Sequence, residues 1–226
     1  MGTEPPKPKR KRRWFRFSLK TFVVVLTVFC VWLGLLVYRV NKQKEAVQWV
    51  KDHGGRAYYD FEFKPPKGVF YNAEPPSPEW LRELIGIDYF ADVVLVSRYA
   101  SKVEDVEPLR KLTELQWLTL RRTAVSDLEP LRELTQFCVL FLSDTQVSNL
   151  GPLRELTKLQ ALDLDGTQVS DLEPLRELTQ LEYLWLGGTQ VSDLEPLVGM
   201  KDVTIFLHEG QQVNVLAELK DRVKRE

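Results

Sequence analysis

The chain has 226 residues, 44% of them hydrophobic, which is enough for one ordinary core with additions. Its 31 basic residues nearly balance 32 acidic ones, but nine basic residues and one acid fall in 1–40, leaving 22 basic and 31 acidic in 41–226, a net charge of −9. A basic tail on an acidic body excludes nucleic acid as an expected partner, because a phosphate backbone is held by clustered Lys and Arg.

Residues 1–20 form the basic tail, which also carries Trp14, Phe15 and Phe17. Next comes TFVVVLTVFCVWLGLLVY, residues 21–38, without a charge between Lys20 and Arg39. With slight extension it reaches the roughly 20 residues that span a bilayer core as a helix, so 21–40 is predicted to be a transmembrane signal anchor. The Lys and Arg before the span outnumber those close behind it, which places the N-terminus in the cytoplasm and the rest of this single-pass chain outside it. A cleaved signal peptide is the alternative. It needs a small residue pair at a cleavage site, whereas YRVNKQKEAV follows here, bulky and charged. Cys30 in the span and Cys138 in the body cannot pair, so the body relies on packing rather than disulfides.

Residues 41–78 read as a juxtamembrane cap and linker. Ala46, Val47 and Val50 have helical spacing up to the stop at Gly54-Gly55. RAYYDFEF then alternates as a strand, with Ala57, Tyr59, Phe61 and Phe63 on one face. These two elements are too small to fold alone and are expected to cover the start of the next domain. KPPKG and EPPSPEW are loops, and Ser77 is the expected cap of a short helix running from Pro78 through Leu84.

From Ser101 the chain repeats itself every 22 residues, with rows starting at Ser101, Thr123, Thr145, Thr167 and Thr189 and the fifth ending at Gly210. Apolar residues recur at columns 3, 6, 9, 12, 15, 18 and 20. Column 18 reads Leu118, Leu140, Leu162, Leu184, Phe206, and column 20 reads Leu120, Leu142, Leu164, Leu186, His208. The step of two is strand-like, and the steps of three suit a tight 3₁₀ return. Pro108, Pro130, Pro152, Pro174 and Pro196 all fall in the return, where a missing amide breaks no ladder. One row cannot bury seven apolar side chains, but stacked rows can. Residues 79–100 keep Leu81, Leu84, Ile87, Phe90, Val93 and Val96 and read as a first, degenerate repeat, although Arg98 replaces its last leucine. Residues 211–226 keep Val213, Leu216 and Leu219 and read as a short closing helix.

The pattern L-x-x-L-x-x-L-x-L-x-x-T-x-V-x-x-L-x-x-L resembles the leucine-rich repeat, and TQVSDLEPLRELTQL is most similar to the 22-residue bacterial, internalin-like variety. The resemblance covers residues 101–210. It departs in one column, where the family usually has Asn and this chain has Thr123, Thr145, Thr167 and Thr189. A Thr hydroxyl offers fewer hydrogen bonds than an amide. The implied fold class is α/β: a leucine-rich repeat solenoid over 79–210, with parallel strands and short 3₁₀ returns, preceded by one transmembrane helix and followed by a C-terminal cap. The resemblance also implies a concave sheet that binds proteins and, for a bacterial chain, a periplasmic repeat domain.

No catalytic, cofactor-binding or metal site is expected, and neither is a small-molecule substrate. The two histidines, His53 and His208, have no Cys or His partners at zinc spacing. No phosphate-cradling glycine loop is present. Ser126, Ser148, Ser170 and Ser192 recur because the repeat recurs, and they read as turn residues. The informative positions are columns 17, 19 and 21, which flank the inward leucines and face out from the sheet. They supply the candidate protein-binding residues Trp117, Thr119, Arg121, Val139, Phe141, Asp163, Asp165, Tyr183 and Trp185. Large aromatics on one rigid face are typical of contact surfaces. The competing expectation is that they pack on one another and stiffen the sheet of a scaffold or spacer. Asp163 and Asp165 are too few for calcium, which takes about six to eight oxygens.

Overall fold

The structure is a computed structural model that describes residues 19–64, 68–69, 74–89, 91–97 and 103–225. The basic tail up to residue 18 with Trp14, Phe15 and Phe17, most of the KPPKG loop, and Phe90, Arg98 and Ser101 lie outside the described residues. The chain divides into two units, residues 1–39 and 40–226.

Helix α1 (Leu19–Asp52) begins in the first unit. There it is long and apolar enough to cross a membrane, a property that signal sequences share. Its large apolar side chains, among them Phe22, Val28 and Leu35, are exposed. The Thr27 hydroxyl donates to the carbonyl of Val24, which satisfies it within the helix as a lipid environment requires.

In the second unit, Ala46, Val47 and Val50 of α1 are buried in the main core. Gln43 Nε2 donates to the Ala91 carbonyl at 2.9 Å and to Asp88 Oδ1 at 3.1 Å. Strand β1 (Arg56–Tyr59) pairs antiparallel with a strand at Val93–Ser97. The strand is shorter than its alternation suggests. Glu62 Oε2 accepts from the Tyr59 amide and the Glu62 amide donates to the Tyr59 carbonyl, which turns the chain after Tyr59. The two-residue strands β2 (Phe63–Lys64) and β3 (Gly68–Val69) pair with each other.

Helix α2 (Glu79–Ile85) corrects two expectations. Its N-cap is Pro78 and makes no side-chain cap bond, while the Ser77 hydroxyl is buried without a partner. Arg82 Nη1 donates to the Ser77 carbonyl instead, and this contact holds the backbone before the helix. Leu84, expected in the core, is 73% exposed. The first repeat therefore keeps its strand, β4 (Val93–Ser97), with Val93 and Val96 buried, and a 3₁₀ turn at Ile87–Tyr89, but an α-helix takes the place of the segment before that turn.

Five strands follow in parallel order: β5 (Trp117–Thr119), β6 (Val139–Phe141), β7 (Ala161–Asp163), β8 (Tyr183–Trp185) and β9 (Thr204–Leu207). From β4 to β8 each strand meets the next at a step of 22, as in Leu118↔Leu140, Leu140↔Leu162 and Leu162↔Leu184. Each return contains a 3₁₀ turn with proline in its second position. The side chains of Asp105, Asp127, Asn149, Asp171 and Asp193 each accept the backbone N–H two residues on, at 2.7–3.0 Å, and so initiate those turns. Thr123, Thr145, Thr167 and Thr189 each donate a hydroxyl to the carbonyl three residues back, at 2.6–2.7 Å. The last residue of every row has positive φ: Arg122, Asp144, Gly166, Gly188 and Gly210.

The fifth row departs from the column template. Leu184 pairs with Ile205, one residue earlier than the repeat predicts, and Trp185 pairs with Phe206. Ile205 and Leu207 are buried, whereas Phe206 is half-buried and His208 exposed. The reason lies in VTIFL, whose alternation sends the β-branched Ile inward. One residue lost before the strand is regained after it, so Gly210 still closes the row. Beyond it, a 3₁₀ helix (Ala217–Arg222) buries Leu219. A strand then follows that the sequence did not suggest: β10 (Val223–Arg225), parallel to β9 and charged at the sheet edge.

Candidate protein-binding face

Side chains at columns 17 and 19 leave the sheet opposite the leucine core. Thr119 and Asp163 are nonetheless buried, because their neighbours lean over them. Trp117, Arg121, Val139, Phe141, Asp165 and Trp185 are half-buried, and Tyr183 is 44% exposed.

The aromatics form one connected row. Phe63 meets Trp117 edge-on at 5.4 Å between centroids, Trp117 meets Phe141 at 5.8 Å, and Phe141 meets Trp185 at 6.2 Å. Trp185 then stacks on Phe206 at 5.1 Å and on Tyr183 at 6.0 Å. Phe141 and Trp185 belong to strands two apart and touch because Ala161 and Asp163 between them are short. Such pairs contribute about 0.5–1.5 kcal/mol each beyond area burial. Two members of this row, Phe63 and Phe206, were not among the predicted site residues. The alternation of VTIFL carried the signal for Phe206. For Phe63 the only signal was its place in the alternating run RAYYDFEF.

Charge on this face is largely matched internally. The Arg121 guanidinium lies over the Phe141 ring, 4.5 Å from its centroid, and Nη2 reaches Asp163 Oδ2 at 2.5 Å. Asp163 Oδ1 accepts the Asp165 amide at 3.1 Å. Asp165 Oδ1 accepts the Gly187 amide at 2.6 Å. Burial pushes the Asp165 carboxyl above the usual carboxylate range. The Gly187 hydrogen bond opposes this, and the neighbouring Asp163 charge adds to it. Asp165 rims a pocket of about 150 Å³ whose other walls are Trp185, Gly187, Phe206, Leu207 and His208. Lys224 on β10 sits 5.5 Å from the Phe206 ring centroid. On the return side, Arg132 and Arg176 form exposed two-pronged pairs with Glu129 and Glu173, which contribute little to stability. Among the described residues, no group of three or more His, Cys, Asp or Glu side chains is placed to hold a metal ion.

The family model for leucine-rich repeats (two copies) matches residues 157–199. Among solved structures, internalin C2 from Listeria monocytogenes is similar to this chain at 29% identity and a TM-score of 0.51, over 55% of this chain and 57% of that one. The repeat domain of this chain is thus similar in fold to the leucine-rich repeats of an internalin. Another internalin (inlF) from the same organism is similar at 22% identity and a TM-score of 0.43, over 55% of this chain and 46% of that one. The chain thus matches about half the length of each internalin. No curated protein matches it. A leucine-rich repeat domain points to a protein-interaction module, and internalin-like folds are typically binding scaffolds rather than enzymes.

Proposed function

We propose that this internalin-like protein is a membrane-anchored protein-binding module. Residues 21–40 serve as an uncleaved anchor, and the repeat domain stands outside the cytoplasm, in the periplasm of a bacterial cell. The contact surface is the open sheet face bearing Trp117, Thr119, Arg121, Val139, Phe141, Asp163, Asp165, Tyr183 and Trp185. The observation that carries this reading is the continuous aromatic row, which β2 covers at its Trp117 end through Phe63 and which runs on over β6 and β8 to Tyr183, its most exposed point. Supporting the anchor and its orientation are the uncharged run of 21–38 and the basic residues before it.

A second reading has its own observation. The rings pack edge-to-face and Arg121 is paired with Asp163, as a sheet built only for stiffness would have them. Both readings are tested in cells expressing the full chain with a photo-crosslinking residue at Tyr183 or Val139. A discrete adduct at these positions, absent from the same probe at Ser170 on the return side, supports a partner on the sheet face. Adducts nowhere, or equally at Ser170, would leave the scaffold reading. Labelling of a cysteine at Tyr183 by an impermeant maleimide in spheroplasts tests the orientation.

A further inference from the structure

Rows one to three already contain a complete cation site. Arg121 of the first row lies on the Phe141 ring of the second and ends on the Asp163 carboxylate of the third. Rows three to five repeat the same components with Lys224 of β10 beside the Phe206 ring, but with no cation paired to the carboxylate. Asp165 supplies the carboxylate, and Trp185 and Phe206, stacked at 5.1 Å and 9°, supply the aromatic wall. Among the described residues, no Lys or Arg forms an ion pair with Asp165, and the only hydrogen bond to its carboxylate comes from Gly187.

We propose that the pocket formed by Asp165, Trp185, Gly187, Phe206 and His208 receives an arginine side chain of the partner. This inference rests on the sheet face being a protein-binding surface. Several observations converge on arginine. The space, about 150 Å³ and open on one side, suits a small planar group, since a cavity of about that volume accommodates benzene. A guanidinium stacks on aromatic rings and pairs with a carboxylate in one plane, which an ammonium cannot do. The aromatic wall attracts a cation on its own account, as Lys224 beside Phe206 and Arg121 beside Phe141 both illustrate. Residues 41–226 carry a net charge of −9, so a basic segment is also drawn to this surface at long range. Gly187 leaves room for the His208 imidazole on the pocket wall. A Cβ there would lie 2.3 Å from His208 Cδ2, so a side chain would push the imidazole out of its place on the wall.

The test uses the full chain in detergent micelles with ¹⁵N-labelled tryptophan and glycine, and N-acetyl-arginine amide as the probe. The Trp185 indole and Gly187 amide signals should shift in a saturable, millimolar titration, while the Trp49 indole stays still. N-acetyl-citrulline amide has the same shape without the charge and should bind about tenfold more weakly or worse. Asp165→Asn keeps an acceptor for the Gly187 amide and should cause a similar loss. Equal titration by citrulline, an unchanged response in Asp165→Asn, or no movement of Trp185 would each overturn the proposal. A normal arginine response without any adduct at Tyr183 would sink only the reading of this face as a partner surface. An adduct at Tyr183 without an arginine response would sink only the pocket.

Discussion

Arg121 and Asp163 meet across an intervening strand, Nη2 to Oδ2 at 2.5 Å, with the Phe141 ring beneath the guanidinium. Strands lie about 4.8 Å apart, so one long side chain ties the first row to the third. Asp163 is 3% exposed and depends on this cation. Replacing Arg121 by Ala should destabilise the domain by about 1–3 kcal/mol, mainly by leaving a buried carboxylate unpaired. In an Asp163→Asn background the same replacement should cost much less. Chemical denaturation of the four chains measures the coupling, and additive effects would mean that the pair contributes nothing.

Asp165 has the opposite character. Burial raises its carboxyl above the ordinary value of 3.8, so its ionised form is the disfavoured one in the folded chain. A raised acid stabilises the fold below its unfolded pKa and loses that contribution as pH climbs through the folded value. Asp165→Asn should therefore raise the melting temperature at pH 7, with the gain shrinking as the pH falls towards 4. A gain that persists unchanged at low pH would show that the carboxylate is not its source.

The closing position of each row has positive φ, and two rows place a residue with a Cβ there: Arg122 at 56° and Asp144 at 57°. A side chain in this left-handed region costs roughly 1–2 kcal/mol relative to a relaxed one. Arg122→Gly is exposed and weakly paired, so it should stabilise the domain by a good part of that amount. Gly188→Ala, with φ at 69° and ordinary contacts of 3.7 Å around the new Cβ, should cost about as much. Melting curves of the two variants should move in opposite directions.

Within the stack the largest losses belong to the central rows. Leu162→Ala removes a fully buried side chain flanked by rows on both sides and should cost about 2–5 kcal/mol. Thr145→Val keeps the shape but deletes the 2.6 Å hydrogen bond to the Leu142 carbonyl, at about 1 kcal/mol. Equal effects from the two would mean that the turn hydroxyls matter as much as the core.

The core columns could be read from the sequence because translation by 22 residues is a one-dimensional property. Any row predicts its neighbours, so Leu118, Leu140, Leu162 and Leu184 fall into line without any knowledge of geometry. The fifth row failed because two signals conflicted. The template favoured Phe206 and His208, while the alternation of VTIFL favoured Ile205 and Leu207, and the alternation prevailed. Leu84 failed because a leucine at the right spacing sits on an α-helix rather than a repeat return. On the candidate face, columns 17 and 19 point outward as their parity requires. The burial of Asp163 under Arg121 was not legible, since it depends on how far an arginine reaches across two strands. The φ > 0 position was half visible, with three glycines in the column and two residues that conceal it.

Because the register from β4 to β8 advances by an unchanging 22 residues, every row presents the next with the same backbone edge it received. Length is therefore a free parameter of this design. Duplication or loss of a 22-residue stretch would add or remove a whole row while the α1–β1 and β10 ends keep their own neighbours. Excising 145–166 should leave a shorter protein that still folds, yet without Asp163 and Asp165. Gene duplication can thus tune the reach of the sheet while its surface chemistry is rewritten one row at a time.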